Sequence, residues 1–435
     1  IWKSGTVCLL IKPRCIPKTI LLIIFMRTKN SLIYIPKWNF SEVDAFIPVV
    51  LELGKSYQDM VTIDVFWLNE RCFNEVKMSS IHRSIFNKYT NEYLLFPNRK
   101  KILTVEKILS FLKFLSIVIL RKLTRKKIVF VYFSPNLGIN SKIQNYVMRV
   151  FGEVYRFPGI QAPMNSEYLE RVYSDSDEYI KAWRGTRTKP QKLKVDKNEI
   201  YFIKDTVDWI HKNYSHTIEH KIIGIPRLYN SWQHYIKNES DRYIEEILIQ
   251  NKLPKKTKDI ILILLTEPNC PWFHDEEDFS QMLKNVLITI RKNFPSNPIF
   301  LKTKPRFKNH VNLPVFNDLS LLSFGLSDVY YYWGGASALA SRTKVAISIN
   351  ETSTIFEFIS TGVPVIEYAR YNDDWISFQP KLTVWRGMPG FHIAESLGDL
   401  NTLVEDVALG NIKGVPCDEI INFFDAKKDL SVFLH

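Results

Sequence analysis

The sequence predicts an α/β protein of two tandem halves, each a parallel sheet covered by helices. Three observations predict it. From Ser31 onward, apolar β-branched runs alternate with helical patterns. The pattern restarts after the polar, proline-bearing stretch Leu253-Pro254-Lys255-Lys256-Thr257-Lys258-Asp259. The chain has 435 residues, 46% of them hydrophobic, enough for two domains with sizeable cores and too apolar for global disorder.

In order, residues 32–35 read as a short apolar strand and 36–40 as a loop. A helix starts at Ser41 or Asp44 and runs toward Gly54. Residues 61–68, β-branched and aromatic, are a second strand. A basic, apolar helix is expected over 104–123, then strands at 127–133, 154–157, 199–202 and 221–225. A helix over 231–251 leads to the break. The second half opens with strand 260–265 and helix 277–293, followed by strands 298–302, 328–332 and 345–349. A hydroxyl-rich turn, a helix and strand 363–368 come next, with Gly362 and Pro364 ending that helix. Further helix within 400–433 is expected to pack back on the first half. Residues 1–25 carry four basic residues and no acid, with a short apolar run. They are expected to lie outside the fold, as a non-native or disordered extension.

A formal net charge of +13 implies acidic partners such as nucleotide phosphates or anionic lipid. The basic residues are spread along the chain and carry no nucleic-acid-binding signature, so no nucleic-acid partner is expected. Five scattered cysteines, with no close pair, argue for a reducing, cytoplasmic setting and against a zinc site. No apolar run reaches the ~18 residues that span a bilayer. Helix 104–123 nevertheless crowds apolar residues beside Arg121-Lys122 and Arg125-Lys126-Lys127. It reads either as a core helix with a basic end or as a peripheral contact with anionic membrane.

The turn between strands 345–349 and 363–368 carries Thr352, Ser353 and Thr354 where a helix should begin, with Glu357 just inside it. Hydroxyls and free N–H groups at a helix start suit a phosphate, and a nearby carboxylate suits a ribose. The alternative is simple helix capping. Lys302, Lys304 and Arg306 flank Pro305 after strand 298–302, a charge pattern that suits a diphosphate or, alternatively, a solvated basic turn. Thr266 follows strand 260–265. The acidic run at 274–278 reads as the first turn of a helix rather than a metal site. In the first half, Glu42 and Asp44 are the carboxylates beside the first strand. Asp44 is three residues after Ser41, so a capping box is its other reading.

The stretch 351–367 resembles the donor-binding segment of GT-B glycosyltransferases. It is closest to the Ser/Thr motif of bacterial capsule and surface-polysaccharide transferases. The same type of segment occurs in CDP-glycerol glycerophosphotransferases and UDP-N-acetylglucosamine 2-epimerases. The resemblance covers about residues 31–400, with specific motifs at 300–306 and 351–367. It implies a GT-B fold, two Rossmann-like domains facing across a cleft. Residues 26–252 would form the acceptor domain and 253–435 the nucleotide-sugar-binding domain.

The resemblance further implies a glycosyltransferase that moves a sugar from a nucleotide-sugar donor to a glycan or lipid-linked glycan acceptor. It needs no cofactor and no metal. Thr266, Lys302, Lys304, Arg306, Thr352, Ser353, Thr354 and Glu357 would bind donor. Asp44 or Glu42 would act as base, and Arg156, Gly159 and Arg227 would line the acceptor side or cleft.

Three departures stand out. Lys304 occupies the place of the histidine in a Lys-x-His-Pro-Arg motif. Phe157-Pro158-Gly159 replaces a Gln-His-Gly-like turn, which counts against glycerophosphotransferase chemistry. Ile349 stands where retaining enzymes carry the first glutamate of a Glu-x7-Glu pair, which favours inversion. A nucleotide amino-sugar 2-epimerase and an inactive GT-B-like scaffold of a capsule complex are the alternatives.

Overall fold

A computed structural model describes residues 29–36, 40–68, 70–95, 104–132, 141–157, 166, 169–170, 198–213, 220–254, 257, 259–266, 276–302, 328–332, 334–350, 352–371, 373 and 385–435, and the structural statements below concern these.

The chain begins with β1 (Asn30–Ile35), α1 (Phe40–Ser56), β2 (Val61–Trp67), α2 (Glu70–Met78) and α3 (Ser80–Tyr89). Then come β3 (Thr90–Leu94), α4 (Thr104–Thr124), β4 (Ile128–Tyr132), α5 (Ser141–Phe151), β5 (Glu153–Arg156), β6 (Glu199–Tyr201), α6 (Lys204–Asn213) and β7 (His220–Ile222). The 3₁₀ turn Pro226–Leu228 and the long helix α7 (Asn230–Gln250) lead to the second sheet. That half contains β8 (Ile260–Leu264), α8 (Glu276–Asn293), β9 (Ile299–Lys302), β10 (Val329–Tyr332), the 3₁₀ segment Ala336–Arg342 and β11 (Thr343–Ile349). A 3₁₀ turn, Ser353–Ile355, runs into α9 (Phe356–Ile359), followed by β12 (Val365–Tyr368) and β13 (Phe391–Ala394). The chain closes with α10 (Leu397–Leu409), α11 (Cys417–Phe424) and α12 (Ser431–Leu434).

Both sheets are parallel throughout. The strand orders are β3-β2-β1-β4-β5-β6-β7 and β10-β9-β8-β11-β12-β13. Each places its first strand beside its fourth, so each has a switch point where consecutive crossovers diverge, β1/β4 in one sheet and β8/β11 in the other. At such a point the carboxyl ends of the strands open a crevice. The central strands β1, β4, β8 and β11 are buried on both faces, which is why they read as near-continuous apolar runs. The edge strand β3, Thr-Asn-Glu-Tyr-Leu, is half-exposed and polar, and the sequence pattern does not mark it as a strand.

One continuous apolar core joins the two sheets. It runs from Val65 and Trp67 through α1 and α7 (Trp232, Ile236, Ile244) to Ala338, Leu339 and Phe356. Leu262 and Phe300 extend it into the second sheet. Separate apolar layers lie under α8 and α10 and under α4 and α5.

The C-terminal segment returns to the first sheet. Asn30 Nδ2 donates to the carbonyls of Phe433 (3.2 Å) and Leu434 (2.9 Å), and Lys428 Nζ lies 2.8 Å from Glu52. Gly224, at φ +76, permits this approach, because a Cβ there would meet the carbonyl oxygens of Ala426 and Lys427 at 2.8 Å.

Candidate functional site where the two sheets meet

Every candidate residue that the structure describes lies at or just after the carboxyl end of a strand, or in the helix that follows. Asp44 sits in the first turns of α1, after β1, and its carboxylate is turned away from its own helix. Its Oδ2 lies 2.7 Å from Arg227, which follows β7, and its Oδ1 lies 2.7 Å from Nε2 of His82 on α3. The His82 contact is close, but its geometry is off the line of a good N–H···O bond. His82 Nδ1 is 2.7 Å from Ser79 Oγ.

The same Arg227 terminal nitrogen also contacts Glu357 of α9 and donates to the Asp44 carbonyl at 2.6 Å. Ser337 Oγ, in the 3₁₀ segment after β10, donates to Glu357. The Arg227 guanidinium lies over the Trp232 ring at 4.8 Å, and its carbonyl accepts from Gln233. Gly335 packs where a Cβ would come within 3.0 Å of His82 and Ser79. The result is a chain of polar contacts, Ser79–His82–Asp44–Arg227–Glu357–Ser337, crossing from the first half to the second.

Two carboxylates sharing one guanidinium cannot both be ionised at equal cost in a buried site. Burial raises both. For Asp44 the Arg227 charge and the His82 contact overrule burial and hold the carboxyl well below the usual range. For Glu357 burial dominates over Arg227, with the Asp44 charge adding to it, and its carboxyl is pushed up to about 8. One carboxylate is therefore ionised and its neighbour is held as the acid near neutral pH.

The second cluster lies at the β8/β11 switch point. Thr266 is buried after β8 and its hydroxyl donates to the Ile349 carbonyl at 3.1 Å. Asn350 turns the chain at φ 56 with its side chain fully buried. Its Nδ2 donates to the Arg370 carbonyl at 3.3 Å, and its Oδ1 has no partner among the described residues. Thr352 Oγ1 accepts from the Thr354 backbone at 3.4 Å, so this hydroxyl closes its own turn. Lys302, buried at the end of β9, is on the same edge of the sheet.

The helix expected after Thr352–Thr354 is only a 3₁₀ turn and one α turn. It offers a weaker dipole than a full helix would. Gly362, at φ +77, ends it as the sequence implied.

Glu42 is buried on α1, its carbonyl accepting from the Tyr34 hydroxyl at 3.3 Å. Arg156 stands outside the Arg227 network, its guanidinium 2.6 Å from the fully buried Glu199 across β5 and β6. Lys304, Arg306, Gly159 and the extension 1–25 lie outside the described residues, as does the side chain of Ser353. Among the described residues no group of His, Cys, Asp and Glu is arranged to hold a metal. His82 and Ser337 were not singled out in the sequence. Both sit in helical stretches without a motif, and only the meeting of the halves puts them beside Asp44 and Glu357.

Two parallel Rossmann-like sheets, joined through one core and meeting at the carboxyl ends of their strands, define the GT-B fold. No protein-family model matches the sequence, and no curated protein matches it. Solved structures do. A putative UDP-N-acetylglucosamine 2-epimerase from Listeria monocytogenes is similar with a TM-score of 0.51 at 11% identity, over 92% of each chain. The Methanocaldococcus jannaschii UDP-GlcNAc 2-epimerase in complex with UDP-GlcNAc and UDP gives 0.50 at 10%, over 88% of this chain and 92% of that one. Anabaena HepE in complex with UDP and glucose gives 0.50 at 9%, over 92% and 96%. At these identities the likeness is one of fold.

Proposed function

We propose that this protein is a nucleotide-sugar-dependent glycosyltransferase of surface-polysaccharide assembly, working on the cytoplasmic face of the membrane, inverting and independent of metal. The observation that carries the reading is the polar network itself. Asp44 from the half assigned to acceptor and Glu357 from the half assigned to donor meet on one arginine, at the carboxyl ends of both sheets. Fold neighbours solved with UDP-GlcNAc, or with UDP and glucose, support a nucleoside-diphosphate sugar as donor.

In the proposed reaction the oxygen of an acceptor hydroxyl attacks the anomeric carbon as the bond to the β-phosphate oxygen breaks. The hydroxyl proton passes to a carboxylate of the Glu42–Asp44 segment, and the nucleoside diphosphate leaves. Lys302, Lys304 and Arg306, with Thr352, Ser353 and Thr354, would stabilise the departing phosphate. Asp44 can take a proton only when its contact with Arg227 loosens, because the ion pair makes it a weak base. Donor entry between the halves would supply that loosening.

A 2-epimerase is the second reading. The observation favouring it is the Asp44–Glu357 pair, whose environments drive the two carboxyls apart, as one base and one acid require.

The test is a titration against UDP-, GDP-, CMP- and CDP-linked sugars, followed by incubation with and without an acceptor extract. Transfer only with acceptor supports the transferase. Conversion of donor alone supports the epimerase, and binding without turnover supports an inactive scaffold. Lys304→Ala and Arg306→Ala should each weaken donor binding by roughly tenfold or more, since each removes a charge-assisted contact. Donor affinity unchanged in both variants would remove the phosphate assignment.

A further inference from the structure

The 21-residue helix α4 carries two apolar faces where a helix lying on a sheet needs one. At about 100° per residue, Ser110, Phe114 and Val118 share one side and are buried against the first sheet. Val105, Leu109, Leu112, Ile119 and Leu120 share the opposite side and are 63%, 59%, 52%, 41% and 52% exposed. From Val105 to Leu120 that outer stripe runs about 23 Å along the helix. On the neighbouring α5, Tyr146 and Val150 are exposed as well.

The outer stripe does not hold the helix in place. Ser110 Oγ donates to the Leu95 carbonyl at 2.5 Å, and Arg121 grips the fully buried Asp64 through two bonds of 2.6 and 2.7 Å. With Phe114 and Val118 these contacts fix α4 from the sheet side alone.

The charges beside the stripe say what it meets. Lys113 and Lys122 stand exposed on its two flanks, Lys126 is exposed just past its end, and Glu106 is the only acid in the helix. A second copy of the chain packed stripe to stripe would add its own exposed lysines to these, with one acid per helix to offset them, so net positive charge would meet net positive charge. A bilayer with anionic headgroups matches both features, apolar depth for the leucines and phosphate for the lysines. The helix would lie in the plane of the surface. Among the described residues no helix is long and apolar enough to cross a membrane.

We propose that α4 is a docking surface for an anionic bilayer, its outer stripe seated at the boundary between headgroups and acyl chains. This is independent of which reaction the cleft carries out.

The test is co-sedimentation of the full chain with phosphatidylcholine vesicles containing about one-third phosphatidylglycerol, against vesicles of phosphatidylcholine alone. The protein should pellet with the first, remain with the supernatant of the second, and detach progressively as salt is raised. A Leu109→Asp/Leu112→Asp variant should lose at least about tenfold in partitioning, since both residues would otherwise leave water. A Lys113→Gln/Lys122→Gln/Lys126→Gln variant should lose a comparable factor. The lysine variant changes only exposed positions, so it keeps the test valid if the leucine variant fails to fold. Wild-type protein left in the supernatant with anionic vesicles would overturn the proposal. So would vesicle binding unchanged in both variants, or a solution dimer that Leu109→Asp/Leu112→Asp converts to monomer without affecting vesicle binding.

Discussion

Arg227 neutralises one of two carboxylates and leaves the other to hold its proton, and that imbalance has a measurable consequence. The Glu357 carboxyl, ordinarily near 4.5, is pushed up to about 8 in the folded chain, by burial first and by the Asp44 charge. Between those values the folded state binds more protons than the unfolded one, so stability falls as pH rises through this window. Asp44 behaves oppositely: its lowered value supports the fold above about pH 4, and that support is lost on acidification. The expected profile is a stability maximum in the mildly acidic range, declining by on the order of a few kcal/mol toward pH 8. Glu357→Gln removes the titrating proton and should flatten the decline in urea titrations at pH 5 to about 9; an unchanged slope would assign the decline elsewhere. Arg227→Ala should cost more at every pH, roughly 3–5 kcal/mol, because it leaves Asp44 and Glu357 facing each other without a cation. Arg227→Lys should not fully restore the loss: both carboxylates meet one terminal nitrogen, but an ammonium has neither the planar face that lies over Trp232 nor the second nitrogen that donates to Ser337. Equal stability of Arg227→Ala and wild type would show that the network contributes nothing to holding the halves together.

The central strands were legible because burial on both faces writes uninterrupted apolar runs such as Ile260–Leu264 into the chain. β3 was not, because an edge strand faces water and its Thr-Asn-Glu-Tyr-Leu carries no such run. The turn that ends α9 was legible through Gly362, yet the helix before it came out shorter than the apolar pattern implied. Phe356, Phe358 and Ile359 are all buried, so tertiary packing rather than helical repeat explains that pattern. Asp44, Arg227 and Glu357 were each visible as charged residues after strands. Their convergence was not, because Arg227 and Asp44 lie 183 residues apart in the chain. The return of the C-terminal helices gives a test at this scale. A Cβ at Gly224 would demand φ near +76 and press on the backbone of Ala426 and Lys427. Gly224→Ala should therefore destabilise by roughly 2–4 kcal/mol and expose the segment after α11 to proteolysis. Wild-type urea resistance and an unchanged cleavage pattern would show that the segment can shift at little cost.

At the scale of the whole molecule, the halves share more than a linker. Helix α7 leaves the first sheet and packs on the 3₁₀ segment Ala336–Arg342 of the second, where Ser341 and Arg342 both bond Asp241, at 3.0 and 3.2 Å. Arg342 also donates to the Thr257 carbonyl at 2.8 Å. In the opposite direction, α12 belongs to the last segment of the chain yet covers Asn30 and Phe46 of the first half. Neither half could be cut out along the sequence without opening the shared core at Trp232, Leu339 and Phe433. Two domains with an ordinary polar interface would unfold in separate steps. Here the shared apolar layer and the buried Arg227 network predict one dominant calorimetric transition for the full chain. A fragment ending at residue 252 lacks both the 3₁₀ segment and the returning helices, so it should remain largely unfolded or aggregate. A ligand that binds both halves, as proposed for the donor, would then raise the single transition as a unit, by an amount set by ligand concentration relative to its Kd. Two well-separated transitions, with a fragment that folds cooperatively by itself, would mean that the apolar layer between the sheets is not the element that unites them.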